Sequence, residues 1–224
     1  MTAQTEEFLL LDGTYQSMQC LPLEGYLEER NIDPRQFTEG LSTALWRGYQ
    51  GLWEIAHGRL YLIGLLDAFE KPIDPHFVFP DRSLPIAADW FSGRIDVGEG
   101  EILMYTHMGW GNRYSTRLSL YVKHGRVVAR RRYDQARLLR RRFDRWAQED
   151  PEWIEGLRAQ ASTGRSPLTW LTPAGIKALG RPELATTDLA FDTSLDPTDQ
   201  ETTEWAESLL RHCTRVPADA PPEA

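Results

Sequence analysis

The chain has 224 residues and is 41% hydrophobic, with eight Trp, eight Tyr and eight Phe residues. This composition supports a real hydrophobic core and excludes wholesale disorder. A net charge of −8 argues against a surface devoted entirely to nucleic acid. No apolar run approaches the roughly 20 residues that span a bilayer, and the acidic N-terminus lacks the positive region of a signal peptide. Because the two cysteines provide no disulfide framework, a cytoplasmic protein without membrane contact is expected.

The N-terminal part predicts one strand and one short helix. Residues 8–11 are apolar and end at the turn signal Asp12-Gly13. Residues 23–30 then predict a brief helix that ends before Pro34. The strand is expected to close the sheet by pairing with a strand much later in the chain.

Three β-hairpins are predicted after residue 45. Residues 45–56 and 59–66 flank the turn His57-Gly58, and the second of these runs is apolar on both parities, as in a strand covered on both faces. Residues 67–89 carry four prolines and predict a long ordered loop. The other two hairpins turn at Gly98-Glu99-Gly100 and at His124-Gly125. Together they predict an antiparallel, twisted sheet or partly open barrel of six or more strands.

Helical periodicity begins after Asp134. Ala136, Leu139, Phe143 and Trp146 recur at spacings of three and four and predict one apolar helix face. Shorter helices are predicted at residues 152–160, 173–179 and 202–212, the second with Thr172 as its N-cap. The resulting prediction is an α+β fold with a β-rich domain at 1–133, C-terminal helices from 134–216 packed on the sheet, and a disordered tail at 217–224.

Several chemistries lack their sequence motifs. There is no GxSxG nucleophile elbow, no HxH or HExxH pair and no GxGxxG phosphate loop. His57 and His124 lie in predicted turns, His76 in the proline-rich loop and His107 at a strand end, and each cysteine stands alone. The sequence therefore predicts neither a metal site nor a cofactor.

An aromatic block within the predicted hairpins supplies the candidate ligand-binding or partner-binding residues. If strand parity holds, Arg47, Tyr49, Gly51 and Trp53 share one face, where a glycine among rings lets a ligand approach closely. The alternative is that the rings form the core and their polar groups pair internally. His107 could act in acid-base chemistry beside two tyrosines. The candidates are Trp46, Arg47, Tyr49, Trp53, Glu54, Trp90, Tyr105, His107 and Tyr114.

Arginines are concentrated between residues 123 and 145, which hold nine Arg and one Lys against two Asp. Such a stripe binds phosphates or an acidic protein surface. Residues 183–210 hold eight carboxylates and no basic residue, so that an intramolecular clasp or a solvated face is favoured over a nucleic-acid groove. The candidate anion-binding residues are Arg130, Arg132, Arg137 and Arg141.

The segments STALWRGYQGLWEI, ADWFSGRI and YTHMGWGNRY also carry a resemblance. They resemble a block in a family of uncharacterised bacterial proteins of similar length, over about residues 12–133. The resemblance implies a bacterial origin and a shared domain, without a mechanism.

Two functions follow as expectations. The first is a non-enzymatic, cytoplasmic bacterial binding protein that recognises a protein partner, with an immunity-type role as one concrete form. The alternative is a small-molecule-binding protein or enzyme with its site in the aromatic sheet around Arg47 and His107. The first predicts a specific protein partner, and the second predicts a retained small ligand.

Overall fold

The computed structural model describes residues 4–38, 40, 42–106, 112–163 and 171–184. The fold is α+β, with a sheet of eight strands and four α-helices in this part of the chain. The strands are β1 (Glu7–Leu11), β2 (Thr14–Met18), β3 (Gln50–Ala56), β4 (Arg59–Leu66), β5 (Ile86–Ala87), β6 (Gly93–Met104), β7 (Arg113–Lys123) and β8 (Arg126–Asp134). The helices are α1 (Glu24–Glu29), α2 (Gln135–Glu149), α3 (Pro151–Ser162) and α4 (Pro173–Leu179).

Seven of these strands close a mixed barrel in the order β3-β1-β2-β6-β7-β8-β4, and β4 returns to pair with β3. The predicted pairing of the first strand with a later one is confirmed, but β1 and β3 run parallel, with Leu9 opposite Trp53. The purely antiparallel sheet was therefore wrong. Since β2 is antiparallel to β1, it returns the chain to the end of the barrel where β1 begins, and β3 starts from that end after the segment that holds α1.

The hairpin predicted at Gly98-Glu99-Gly100 was also wrong. β6 continues through these residues as one strand and pairs along its length with β7. Its register shifts between Glu99 and Ile102, and Gly100 has a φ of +79°. A bulge thus absorbs the glycines, which bends the strand without reversing it.

The barrel interior is filled by apolar side chains such as Leu9, Leu62 and Leu120. Every residue of β4 is buried, as its unbroken apolar pattern predicts, and its outward side chains join a second cluster around Leu52 and Ile63. Leu27 of α1 and Phe79 of the proline-rich loop complete the interior cluster.

The helices α2, α3 and α4 follow β8. They pack on the part of the sheet where β6 and β7 extend past the barrel. Leu103 of β6 joins Leu139 and Phe143 of α2 in a separate core. Thr172 caps α4 through Gly175 N and also donates its hydroxyl to the carbonyl oxygen of Ile102, which fixes α4 on β6. Since α1 precedes β3, the helices are not all C-terminal. The helix predicted at 202–212 and the tail at 217–224 lie outside the described residues.

Candidate functional site

A buried carboxyl at the start of β1 organises the first candidate site. Glu7 is 0% exposed and lies at one end of the barrel core. Its Oε2 accepts a hydrogen bond of 2.5 Å from the indole Nε1 of Trp53, and the Gly51 amide donates to the same carboxyl. A Cβ at Gly51 would lie 2.7 Å from Glu7 Oε2, so the absence of a side chain there makes room for the carboxyl.

Arg47 faces the other oxygen of this carboxyl. Its Nε lies 3.6 Å from Glu7 Oε1, and its side chain retains 13% exposure. Nη1 of Arg47 donates to the carbonyl oxygen of Thr5 at 2.9 Å, which holds the guanidinium beside the N-terminal segment. The guanidinium also lies over the ring of Tyr49, with 5.4 Å between Cζ and the ring centroid. An ion pair of this length attracts the carboxylate without a direct hydrogen bond.

Four buried polar atoms of this cluster have no hydrogen-bond partner in the described part of the chain. They are Glu7 Oε1, Arg47 Nε, Arg47 Nη2 and Tyr49 OH. Buried polar groups are nearly always satisfied in folded proteins, by protein atoms or by water. The cluster therefore has unused hydrogen-bonding capacity at Glu7, Arg47 and Tyr49.

Burial has the largest effect on the pKa values of this cluster. It raises the pKa of Glu7 to about 7, against the opposing effects of Arg47, Trp53 and Gly51. It also raises the pKa of Tyr49 and, with help from the Glu7 charge, brings the pKa of Cys20 to about 12. Cys20 accordingly remains a thiol at neutral pH, whereas the carboxyl of Glu7 titrates near neutral pH.

Glu7 was missed from the sequence, where it counted only as part of an acidic N-terminus. The available signal was strand parity, because Glu7 alternates with Leu9 and Leu11, which face the barrel core. Arg47, Tyr49, Gly51 and Trp53 do surround this carboxyl, but the strand predicted from residue 45 begins only at Gln50, so a turn rather than strand parity places Arg47 there.

The remaining aromatic candidates occupy separate places. Trp46 is 63% exposed, and Glu54 pairs with Leu10 on the strand face opposite Trp53. Trp90 packs on Tyr26 and donates its Nε1 to the carbonyl oxygen of Pro22 at 2.9 Å. Tyr105 follows β6 directly. His107 lies outside the described residues, so the acid-base role predicted for it stays a prediction.

Tyr114 borders a shallow pocket between β6 and β7, with room for about one water molecule. Its ring lies against Gly98, where an added Cβ would come within 2.0 Å of Cδ2. Burial raises the pKa of Tyr114 to about 12, so its hydroxyl stays protonated at neutral pH. The pocket is lined further by Gln19, Asn112, Thr116 and Gln135.

The second candidate site is the arginine surface, defined as the exposed Arg130, Arg131 and Arg132 of β8 with Arg137, Arg141, Arg142 and Arg145 of α2. These arginines belong to two consecutive elements, and Arg131 projects from the opposite face of β8 to Arg130 and Arg132. Arg132 binds Glu99 through two hydrogen bonds of 2.9 and 3.1 Å. Arg131 lies over the ring of Tyr121, 5.9 Å from its centroid. The other five form no ion pair with the described residues. Within the described ranges, most arginines of this surface thus have no carboxylate partner, and nearly all of the acidic segment 183–210, which was expected to clasp them, lies outside the described residues.

Large apolar side chains accompany these arginines. Val128 of β8 is 63% exposed, and Leu138 and Trp146 of α2 are also exposed. Leu138, Arg141, Arg142 and Arg145 follow the spacing i, i+3, i+4 and i+7, which places them along one stripe of the helix. Mixed arginine and apolar side chains are typical of protein interfaces, where Arg and aromatic residues are enriched.

The described ranges offer neither a cation site nor a membrane-spanning helix. They hold no group of three or more His, Cys, Asp or Glu side chains placed to bind a metal ion. No helix that the structure defines there has the length and hydrophobicity needed to cross a bilayer. No protein-family model, curated protein or solved structure matches the chain.

Proposed function

We propose that this chain is a non-enzymatic binding protein that recognises an acidic protein partner through the arginine surface. The observation that carries the proposal is the exposed set Arg130, Arg137, Arg141, Arg142 and Arg145, which have no ion-pair partner among the described residues on a chain of net charge −8. Positive groups concentrated on an acidic protein steer and orient an oppositely charged partner.

The apolar side chains favour a protein over a nucleic acid as this partner. The same two elements also expose the apolar side chains of Val128, Leu138 and Trp146. Apolar area of this kind loses its water on binding, as the centre of a protein interface requires. A bacterial, cytoplasmic setting belongs to the same proposal, and an immunity-type role against a toxin is its most concrete form.

Charge reversal tests the proposal. In the variant Arg137→Glu, Arg141→Glu, Arg145→Glu, binding of fluorescent poly-L-glutamate should be lost, because the Coulomb attraction becomes repulsion. A matched variant, Arg30→Glu, Arg82→Glu, Arg158→Glu, makes the same change in net charge at exposed arginines outside the surface and should keep binding. Equal binding by both variants, or tighter binding of duplex DNA than of poly-L-glutamate, would overturn the proposal.

A second candidate function is recognition of a small polar molecule at the Glu7 cluster, with or without catalysis. The four unpartnered atoms around Arg47 and Tyr49 favour it. A ligand that binds only the folded protein raises its melting temperature. A thermal-shift screen with small carboxylic acids should therefore detect it, and Arg47→Ala should abolish the shift while circular dichroism stays native. A screen in which wild type and Arg47→Ala respond alike would reject this function.

A further inference from the structure

Strand β8 has an edge that no strand of the described residues pairs. On one side it pairs with β7 from Arg126 to Asp134. On the other side it meets β4 only at Arg126, opposite Arg59, with one more bond from Val127 N to the carbonyl oxygen of Gly58. Gly58 lies in the turn between β3 and β4. The rest of β8, from Val128 to Asp134, therefore continues past the end of that hairpin.

This β8 edge is long enough to receive another strand. A bulge at Val128 interrupts the register with β7, and the six residues from Ala129 to Asp134 beyond it present roughly 20 Å of extended backbone. In an antiparallel pair, the groups that do not bond to the neighbouring strand point away from it, so alternate amides and carbonyls of the β8 edge are directed outward. Val128 to Arg132 are all exposed, so the edge is open to solvent.

The side chains beside this edge determine which segment fits it. Arg130 and Arg132 are opposite Leu120 and Leu118 in the register with β7, so they project to one face, and Arg131, opposite Ser119, projects to the other. An added strand would have arginines beside it on both faces. Arg132 already binds a carboxylate, that of Glu99, across β7. Carboxylates on both faces of an added strand would thus meet guanidinium groups.

We infer that the β8 edge binds an extended acidic segment of the partner by β-strand addition. The inference rests on the proposed function and specifies its partner, which is a strand with acidic side chains rather than a folded acidic surface. Backbone hydrogen bonds supply affinity in this mode, and the side chains beside the edge supply specificity. The alternative role of charged residues on an exposed edge is to prevent strand addition altogether.

A peptide with selective N-methylation separates these roles. The probe is a peptide of about eight residues of alternating threonine and glutamate, which suits an extended strand. Two versions carry N-methyl groups on the threonines alone or on all residues, so that the amides of one strand edge or of both edges are removed at equal charge. Strand addition predicts that the fully methylated version binds at least roughly tenfold more weakly than the other, because it has no edge left whose amides can bond to β8. Fluorescence anisotropy measures both affinities.

Amide hydrogen exchange locates the contact. On binding of the unmethylated peptide, alternate amides between Val128 and Tyr133 should become protected, namely those that point away from β7. Equal affinities of the two methylated peptides, or protection confined to α2, would overturn strand addition while the proposed function stands, provided that the charge-reversal variant still loses binding. Failure of both this peptide and poly-L-glutamate to bind would overturn the two together.

Discussion

Glu7 and Trp53 are joined by a hydrogen bond of 2.5 Å between the carboxyl Oε2 and the indole Nε1, across the parallel pair of β1 and β3. The bond connects two residues 46 positions apart in the chain. It satisfies the one polar atom of a fully buried tryptophan, as a buried indole requires. It also leaves a carboxyl inside the barrel, where its charge is costly. The stability of the barrel should therefore depend on the protonation of Glu7.

The first prediction concerns the pH dependence of unfolding. Glu7 has a pKa of about 7 in the folded protein against 4.5 as its ordinary value. Between these two values the folded state binds more protons than the unfolded state, so the free energy of unfolding falls as pH rises. The loss contributed by Glu7 is complete above about pH 7 and amounts to about 3 kcal/mol. Urea denaturation from about pH 4.5 to pH 8 measures it.

Glu7→Gln should remove most of this slope, because the amide does not titrate. Glu6, whose pKa is also raised by burial, leaves a smaller slope of the same sign. The control Glu28→Gln changes an exposed carboxyl on α1 and should keep the wild-type slope. An unchanged slope in Glu7→Gln would show that another group produces the pH dependence.

The second prediction isolates the indole donor. Trp53→Phe removes the hydrogen bond to Glu7 Oε2 and should lower the free energy of unfolding by about 1–3 kcal/mol. The loss should be larger at about pH 8 than at about pH 5, because an ionised carboxyl suffers more from a missing donor than a neutral one. Trp90→Phe is the matched control, since its Nε1 donates to the uncharged carbonyl oxygen of Pro22. Its effect should be equal at both pH values, and the same equality in Trp53→Phe would contradict the prediction.

The features predicted well from the sequence are those that depend on neighbouring residues. Asp134 caps α2 through Arg137 N, and Thr172 caps α4 through Gly175 N, where helical periodicity and capping residues place both starts. The turns at His57-Gly58 and His124-Gly125 also join strands as predicted. These signals act within one turn of chain, so no tertiary context is needed to interpret them.

The features missed depend on contacts between distant segments. Whether Gly98 and Gly100 form a turn or a bulge is decided by the pairing of β6 with β7, because glycine serves both. The burial of Glu7 is decided by the crossover that brings β3 beside β1. For the same reason the sequence predicted the group Arg47, Tyr49, Gly51 and Trp53, but not the carboxyl of Glu7 at its centre.

The third prediction tests how α4 is attached to β6. A Cβ at Gly175 would lie 2.0 Å from the carbonyl oxygen of Leu103, a backbone atom that cannot move without disturbing β6. Gly175→Ala should therefore destabilise the protein by about 1–3 kcal/mol. Gly156→Ala is the control in α3, where a Cβ meets no atom within 4 Å. It should stabilise by about 0.5–1 kcal/mol, because alanine favours a helix interior. Denaturant unfolding compares the two, and opposite signs are the expected outcome.

The fourth prediction concerns the point where β4 meets β8. Gly58 and Gly125 both follow a histidine in a two-residue turn, with φ of +73° and +72°. A Cβ at Gly58 would meet no atom within 4 Å, whereas one at Gly125 would lie 2.8 Å from the carbonyl oxygen of Ala88. Gly125 also donates to the carbonyl oxygen of Phe91 and accepts from Leu60 N, so that this turn is held between two segments of the barrel.

Gly58→Ala should therefore cost about 1–2 kcal/mol, which is the cost of a left-handed conformation for an L-residue. Gly125→Ala has the same backbone cost. It adds the collision with the carbonyl oxygen of Ala88, which should cost about 1–3 kcal/mol more. Because the two turns match in φ and in the preceding residue, the difference between the variants measures the close approach at the seam between β4 and β8. Equal losses in urea denaturation would mean that the seam between β4 and β8 opens at little cost and contributes little to the stability of the barrel.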